Sequence, residues 1–130
     1  KHLAAEAAAL LPDFDIEIIE THHRMKKDAP SGTAKLLLSA VNPDGTHPTV
    51  FGREGFAPRT ADEIGVHAVR GGTVAGVHTV SFFGDEEELS LTHRAESRRI
   101  FAIGALKTAE KLKDAPVGLH TLDELLFARR

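Results

Sequence analysis

Residues 63–94 read EIGVHAVRGGTVAGVHTVSFFGDEEELSLTHR, and the alternation in this stretch decides the fold class. Ile64, Val66 and Ala68 recur at period two as far as Arg70; after Gly71-Gly72, Val74, Gly76, His78, Val80 and Phe82 recur at the same period as far as Phe83. Successive side chains of a strand point to opposite faces, so each run places its apolar set on one face of a sheet. Between two such runs a Gly-Gly pair reads directly as the turn of a β-hairpin. Gly84-Asp85 makes the next reversal, and Leu89, Leu91 and His93 share one face of a strand over residues 87–94. Three consecutive antiparallel strands are expected, with His78 and His93 facing one another on neighbouring strands in a structural role.

Upstream, Asp15-Ile16-Glu17-Ile18-Ile19-Glu20 alternates β-branched residues with acids and reads as a further strand. It follows an alanine-rich helix over Leu3–Leu11, with Leu3, Ala7, Leu10 and Leu11 at helical spacing and Pro12-Asp13 as its stop. Beyond the strand, residues 21–30 form a basic loop. Ser31 then caps a helix whose Ala34, Leu37, Leu38 and Val41 follow the i, i+3, i+4, i+7 pattern until Asn42-Pro43-Asp44-Gly45. Residues 46–62, broken by Pro48, Gly52, Gly55 and Pro58, read as an excursion around a short Thr49-Val50-Phe51 strand. Downstream, Ser97 caps a helix to about Lys113 with Phe101, Ala105, Ala109 and Leu112 on its buried face, and Thr121 with Glu124 makes a capping box for a short last helix. The sum is an α+β fold: a mostly antiparallel mixed sheet of about four strands with helices packed on one face.

One hundred and thirty residues fit a single domain, 1–130, able to bury roughly two-thirds of its unfolded surface without disulfide or metal. With no cysteine there is no disulfide framework and no thiol nucleophile, and a reducing cytoplasm is the simpler expectation. A net charge of −3 and the lack of Trp and Tyr speak against a nucleic-acid partner. The longest apolar run, residues 7–11, is far below the ~20 residues of a membrane span, so no membrane partner is expected. The chain starts at Lys1, without a charged-then-apolar leader, and reads as a piece of a longer protein.

In this acidic chain, His22-His23-Arg24-Met25-Lys26-Lys27 is a local inversion of charge. A His/Lys cluster can bind carboxylates and deliver protons near neutral pH, and in one helical turn His22 and Lys26 would face the same side. A solvated basic loop is the competing reading. Ser31, Gly32 and Thr33 lie where a helix begins, and free backbone N–H groups there favour an anion, although Ser31 would cap the helix in any case. A metal site is not expected: His22 and His23 are adjacent and would diverge on an extended chain, and no His-x-x-x-His pair lies on a helix. No glycine-rich nucleotide fingerprint occurs, so no cofactor-binding residue is assigned.

The run Glu20-Thr-His-His-Arg-Met-Lys-Lys-Asp-Ala-Pro-Ser-Gly-Thr-Ala34 resembles the signature of the dihydrodipicolinate reductase (4-hydroxy-tetrahydrodipicolinate reductase) family. Residues 64–80, 91–98 and 101–105 are similar to that family's C-terminal, substrate-binding domain in order and spacing, so the resemblance covers nearly the whole chain. It implies NADPH- or NADH-dependent reduction of a cyclic imine dicarboxylate to tetrahydrodipicolinate in lysine and diaminopimelate biosynthesis. The cofactor would sit on an N-terminal dinucleotide-binding domain that these residues do not contain. Carried over residue by residue, His22 is the proton donor or acceptor, Lys26 the second proton donor, His23 a substrate-carboxylate contact, and Gly32 with Thr33 the other substrate contact. Arg70 and Arg98 are structural or substrate-side cations. The resemblance further implies a homotetramer joined through the sheet, and a segment, 117–130, that returns to the nucleotide domain. The alternative is a dicarboxylate-binding or assembly module derived from that domain that does no chemistry.

Overall fold

A computed structural model of the chain describes residues 1–127, in two compact units, 1–96 and 97–127. The first unit holds helix α1 (His2–Leu10), strand β1 (Asp15–His22), helix α2 (Gly32–Val41) and strands β2 (Thr49–Phe51), β3 (Ile64–Arg70), β4 (Gly76–Gly84) and β5 (Glu87–Ala95). The α+β class stands, and with β2 the sheet has five strands, in the order β2-β3-β1-β4-β5. Two pairings, β2 with β3 and β3 with β1, are parallel; β1 with β4 and β4 with β5 are antiparallel.

The expected hairpin between β3 and β4 does not form, because β1 lies between them. Residues 71–75 instead pass over the C-terminal end of β1, where Gly71 N–H donates to the His22 carbonyl at 2.9 Å and Arg24 N–H donates to the Gly72 carbonyl at 3.1 Å. Skipping one strand means crossing about 10 Å, well within the reach of five residues at ~3.3 Å each. Alternation specifies which face each strand buries and is silent about which strand it pairs with; Gly-Gly permits any reversal. The hairpin expected between β4 and β5 does form, with His78 opposite His93.

The buried face of the sheet carries Ile18 on β1, Ile64 and Val66 on β3 and Val80 and Phe82 on β4, which pack with Ala34, Leu37 and Val41 of α2 and Ala4 and Ala7 of α1. The α2 stripe lies as its spacing predicts, and Ser31 caps the helix by accepting Ala34 N–H at 3.2 Å. On α1 the buried stripe is Ala4 and Ala7, whereas Leu3 and Leu10 are exposed. Small side chains face inward because α1 lies against α2, and close packing there leaves no room for leucine.

In the second unit, α3 (Arg99–Leu112) begins beside Ser97, whose Oγ accepts Arg99 N–H at 3.2 Å. α4 (Leu122–Phe127) starts with the expected reciprocal box: Thr121 N–H donates to Glu124 at 2.7 Å and Glu124 N–H to Thr121 Oγ1 at 3.2 Å. The face expected to be buried on α3 is not: Phe101 and Leu112 remain about half exposed and, with Leu122 and Leu126, line an open apolar hollow between the two helices. The last three residues of the 117–130 segment lie outside the described residues. Among the described residues no helix is long and apolar enough to cross a membrane.

Candidate functional site

β1 runs into the interior with Ile18, Glu20 and His22 on its helix-facing side, so the period that buries an isoleucine also buries an acid and an imidazole. Glu20 is fully buried, and a carboxylate there persists only if its oxygens are satisfied. They are, by three elements. Arg70, at the end of β3, donates from Nη1 to Oε2 and from Nη2 to Oε1, both at 2.8 Å. Ser31 N–H, at the start of α2, donates to Oε1 at 2.9 Å. His22 Nδ1–H donates to Oε2 at 2.6 Å. Burial pushes the Glu20 carboxyl up, but the Arg70 guanidinium, His22 and the Ser31 amide outweigh it and hold the group below the usual carboxylate range.

His22 is the last residue of β1 and is nearly buried. Since its Nδ1 faces an acceptor, its proton sits there in the neutral ring, leaving Nε2 free to take or give one. Nε2 lies beside Gly76 of β4, where a Cβ would stand 3.1 Å from it, so glycine at 76 makes room for the ring. The imidazole of His78 meets that of His22 edge-on, with centroids 5.0 Å apart, and its Nε2 lies 3.0 Å from Ser31 Oγ. Burial, and then the nearby His22, His93 and Lys26 charges, push His78 below the usual histidine range despite Glu20. His78 is therefore a neutral partner for the Ser31 hydroxyl.

Lys26 stands in a tight turn, its N–H donating to the His23 carbonyl at 3.1 Å; this is not the helical turn that would set it above His22. Its Nζ instead donates to Asp28 at 2.8 Å, which holds the Asp28 carboxyl below its ordinary range. The Asp28 carbonyl in turn accepts Arg70 Nη2 at 2.7 Å, so the arginine that clamps Glu20 also pins the Lys26 loop. His23 is half-buried just past the end of β1. Gly32 opens α2 with clear space where a side chain would project, and Thr33 lines a hollow of about 350 Å3 with Leu37, His78, Leu91 and His93.

His22 and Thr33 thus meet at His78 on one side of the sheet, Ser31 joins the start of α2 to both Glu20 and His78, and Lys26, held by Asp28, acts on His78 through its charge. The arrangement can offer backbone N–H groups and cations to an anion, and a proton from His22 or Lys26. Sequence reasoning passed over Glu20 and did not give Arg70 its clamping part. The signal for Glu20 was available: an acid in phase with Ile16 and Ile18 must be buried, and a buried acid needs a cation.

The family model described as the C-terminus of dihydrodipicolinate reductase matches residues 1–126. Among curated proteins, a 4-hydroxy-tetrahydrodipicolinate reductase of Methanococcoides burtonii is 51% identical over 122 residues, 93% of this chain and 46% of the relative. Those of Methanocorpusculum labreanum and Brachyspira hyodysenteriae are 49% and 48% identical, each over 95% of this chain and over 49% and 54% of their own lengths. The chain therefore spans about half the length of the curated relatives it matches. A dipicolinate-bound dihydrodipicolinate reductase from Paenisporosarcina sp. TG-14 superposes with a TM-score of 0.66 at 29% identity, over 85% of this chain and 43% of that one.

Proposed function

The chain belongs to the dihydrodipicolinate reductase family, as its C-terminal domain, and from that premise we propose that it binds a planar ring diacid and supplies the proton for its reduction. The reaction would be the nicotinamide-dependent reduction of a cyclic imine dicarboxylate in lysine and diaminopimelate biosynthesis, in the cytoplasm, with NADPH or NADH as hydride source. That dinucleotide does not fit the residues here. The turn from β1 to α2, residues 23–31, holds no glycine, and a pyrophosphate needs a glycine-rich approach to a helix start. The cofactor is accordingly assigned to a part of the protein outside these residues.

The observation that carries the reading is the buried Glu20 carboxylate, which holds His22 through one oxygen and the Ser31 amide through the other. A proton donor and the N–H-rich start of a helix are thereby fixed on the same side of the sheet. One carboxylate of the diacid would take Gly32 N–H, Thr33 N–H and the Thr33 hydroxyl; His23 and Lys26 would face the other. His22 Nε2 or Lys26 Nζ would then deliver its proton to the ring carbon that becomes electron-rich, stabilising the charge as it develops. Pyridine-2,6-dicarboxylate, the ligand named for the Paenisporosarcina protein, is the natural probe. The opposite face of the sheet exposes Ile19, Val69 and Phe83, each more than a third accessible, and covering it with copies of itself would give a homotetramer.

Two measurements test the reading. Calorimetry of this chain with pyridine-2,6-dicarboxylate should give binding that weakens as salt rises, since cations and amides hold the anion. In the full-length reductase, His22→Ala with Lys26→Ala should lower turnover by at least ~10²-fold. Unchanged turnover would overturn the proton-donor roles, and diacid binding with no turnover in the native protein would leave a binding module.

A further inference from the structure

We propose that Glu20 and Arg70 are positioning residues that fix the proton-carrying atom of His22 and hold the Lys26 loop in place beside it. The inference rests on the reading of His22 as proton donor and extends it to groups that never touch the diacid.

The argument starts from the oxygens of Glu20. Oε2 is shared between His22 Nδ1–H at 2.6 Å and Arg70 Nη1 at 2.8 Å, and Oε1 between Ser31 N–H at 2.9 Å and Arg70 Nη2 at 2.8 Å. A carboxylate gripped on both oxygens by a planar guanidinium cannot rotate, so the acceptor facing Nδ1 has a fixed direction. His22 is then limited to the form with hydrogen on Nδ1, and Nε2 becomes the atom that exchanges a proton. When Nε2 takes one, the ring becomes a cation with a carboxylate behind it and the neutral His78 at its edge.

Arg70 reaches further. Its Nη2 also donates to the Asp28 carbonyl at 2.7 Å, and Asp28 Oδ1 accepts Lys26 Nζ at 2.8 Å. The Glu20–Arg70 pair therefore sets the position of both proposed proton donors and, through the Ser31 amide, of the start of α2. The charged and titratable groups around His22 are Glu20 on β1, Arg70 on β3 and His78 on β4, and the charges of Lys26 and His93 act on His78 in turn.

Glu20→Gln keeps the size of the side chain and can still accept Ser31 N–H and one Arg70 nitrogen, but it turns an NH2 group toward His22 Nδ1. That nitrogen must then accept, and the proton moves to Nε2. In a Ser-His-Asp triad the corresponding Asp-to-Asn change leaves the geometry intact and costs ~10⁴-fold in turnover through the wrong tautomer. Here we expect kcat of the full-length reductase to fall by roughly 10²–10³-fold, with KM within about threefold. The alkaline limb of the kcat profile should move to lower pH, because the ring cation has lost its counter-charge. Arg70→Gln should move the same limb to higher pH, because a cation opposing the ring has gone. Nitrogen-15 spectra of this chain should place the His22 hydrogen on Nδ1 in the native protein and on Nε2 in the Gln variant. Should Glu20→Gln fail to fold with Arg70 left unpaired, the E20Q–R70Q double variant removes both charges and is read by the same spectra.

An unchanged tautomer and pH limb in the Gln variant, or limbs moving the same way in both single variants, would overturn the proposal. If His22→Ala abolishes turnover while Glu20→Gln leaves it intact, this inference fails and the proton-donor reading survives. If His22→Ala retains turnover, the proton-donor reading itself fails.

Discussion

Two carboxylates on β1, Glu17 and Glu20, stand three residues apart on opposite faces of the sheet, and each gathers arginine and histidine to different effect. Glu17, on the open face, takes Arg53 at 2.9 Å, Arg59, and His67 Nε2 at 2.7 Å, while Arg53 also pairs with Glu63. Both arginines come from residues 52–63, so this cluster ties the long connection between β2 and β3 down onto the sheet. Glu20, on the helix side, draws its partners from β1, β3 and the start of α2 and keeps His22 Nε2 out of its own bonds. A charged cluster is therefore not a site by virtue of its charges. It becomes one when it orients a titratable atom that it does not itself consume.

The comparison breaks most visibly in stability. Glu20→Ala removes a fully buried carboxylate and leaves the Arg70 guanidinium, the Ser31 amide and His22 Nδ1–H without their acceptor, and should cost about 3–5 kcal/mol. Glu17→Ala loosens a clasp whose members can turn to water, and should cost about 1–3 kcal/mol. Chemical denaturation of the two variants checks the order, and equal losses would remove the distinction.

Glycine 65 gives a finer probe. A Cβ there would stand 1.7 Å from Glu17 Oε2, so Gly65→Ala must swing that carboxylate away from His67. The expected loss is about 1–2 kcal/mol of stability, with affinity for pyridine-2,6-dicarboxylate unchanged. A large fall in affinity would mean that the two clusters are coupled across the sheet.

The smallest expected effect is the pH dependence on the Glu20 side. His78 is held below its ordinary 6.5 and Glu20 below its ordinary 4.5. Just below each ordinary value the unfolded chain binds more protons than the folded one, so stability falls as pH drops through 6.5, and again below 4.5. His78→Gln should flatten the first step in urea titrations between pH 7 and 5, and Glu20→Gln the second. A step that persists in its variant belongs to another group.

How much of this was legible in the sequence depended on distance along the chain. The Ser31 cap, the stripe of α2, the strand alternations and the Thr121–Glu124 box all lie within a few residues of their partners and formed as read. On α1 the helical spacing of Leu3, Ala7, Leu10 and Leu11 marks a helix but not its inward face, which is made by Ala4 and Ala7 where the helix packs against α2. The face of α3 expected to be buried is left open because an amphipathic pattern marks a face and does not say what covers it. Glu20 and Arg70 are fifty positions apart, and only the parallel pairing of β1 with β3 brings the two strand ends together.

By itself, then, the sequence determined the elements, their buried faces in the sheet, the helix start at Ser31 and the signature that marks the family. The tertiary structure alone decided that β1 lies between β3 and β4, and hence that one arginine clamps the carboxylate behind His22. Periodicity and capping are set by neighbours in the chain. The choice of a strand's partner is set by which distant faces can be buried together, and in this molecule that choice brings the buried ion pair together.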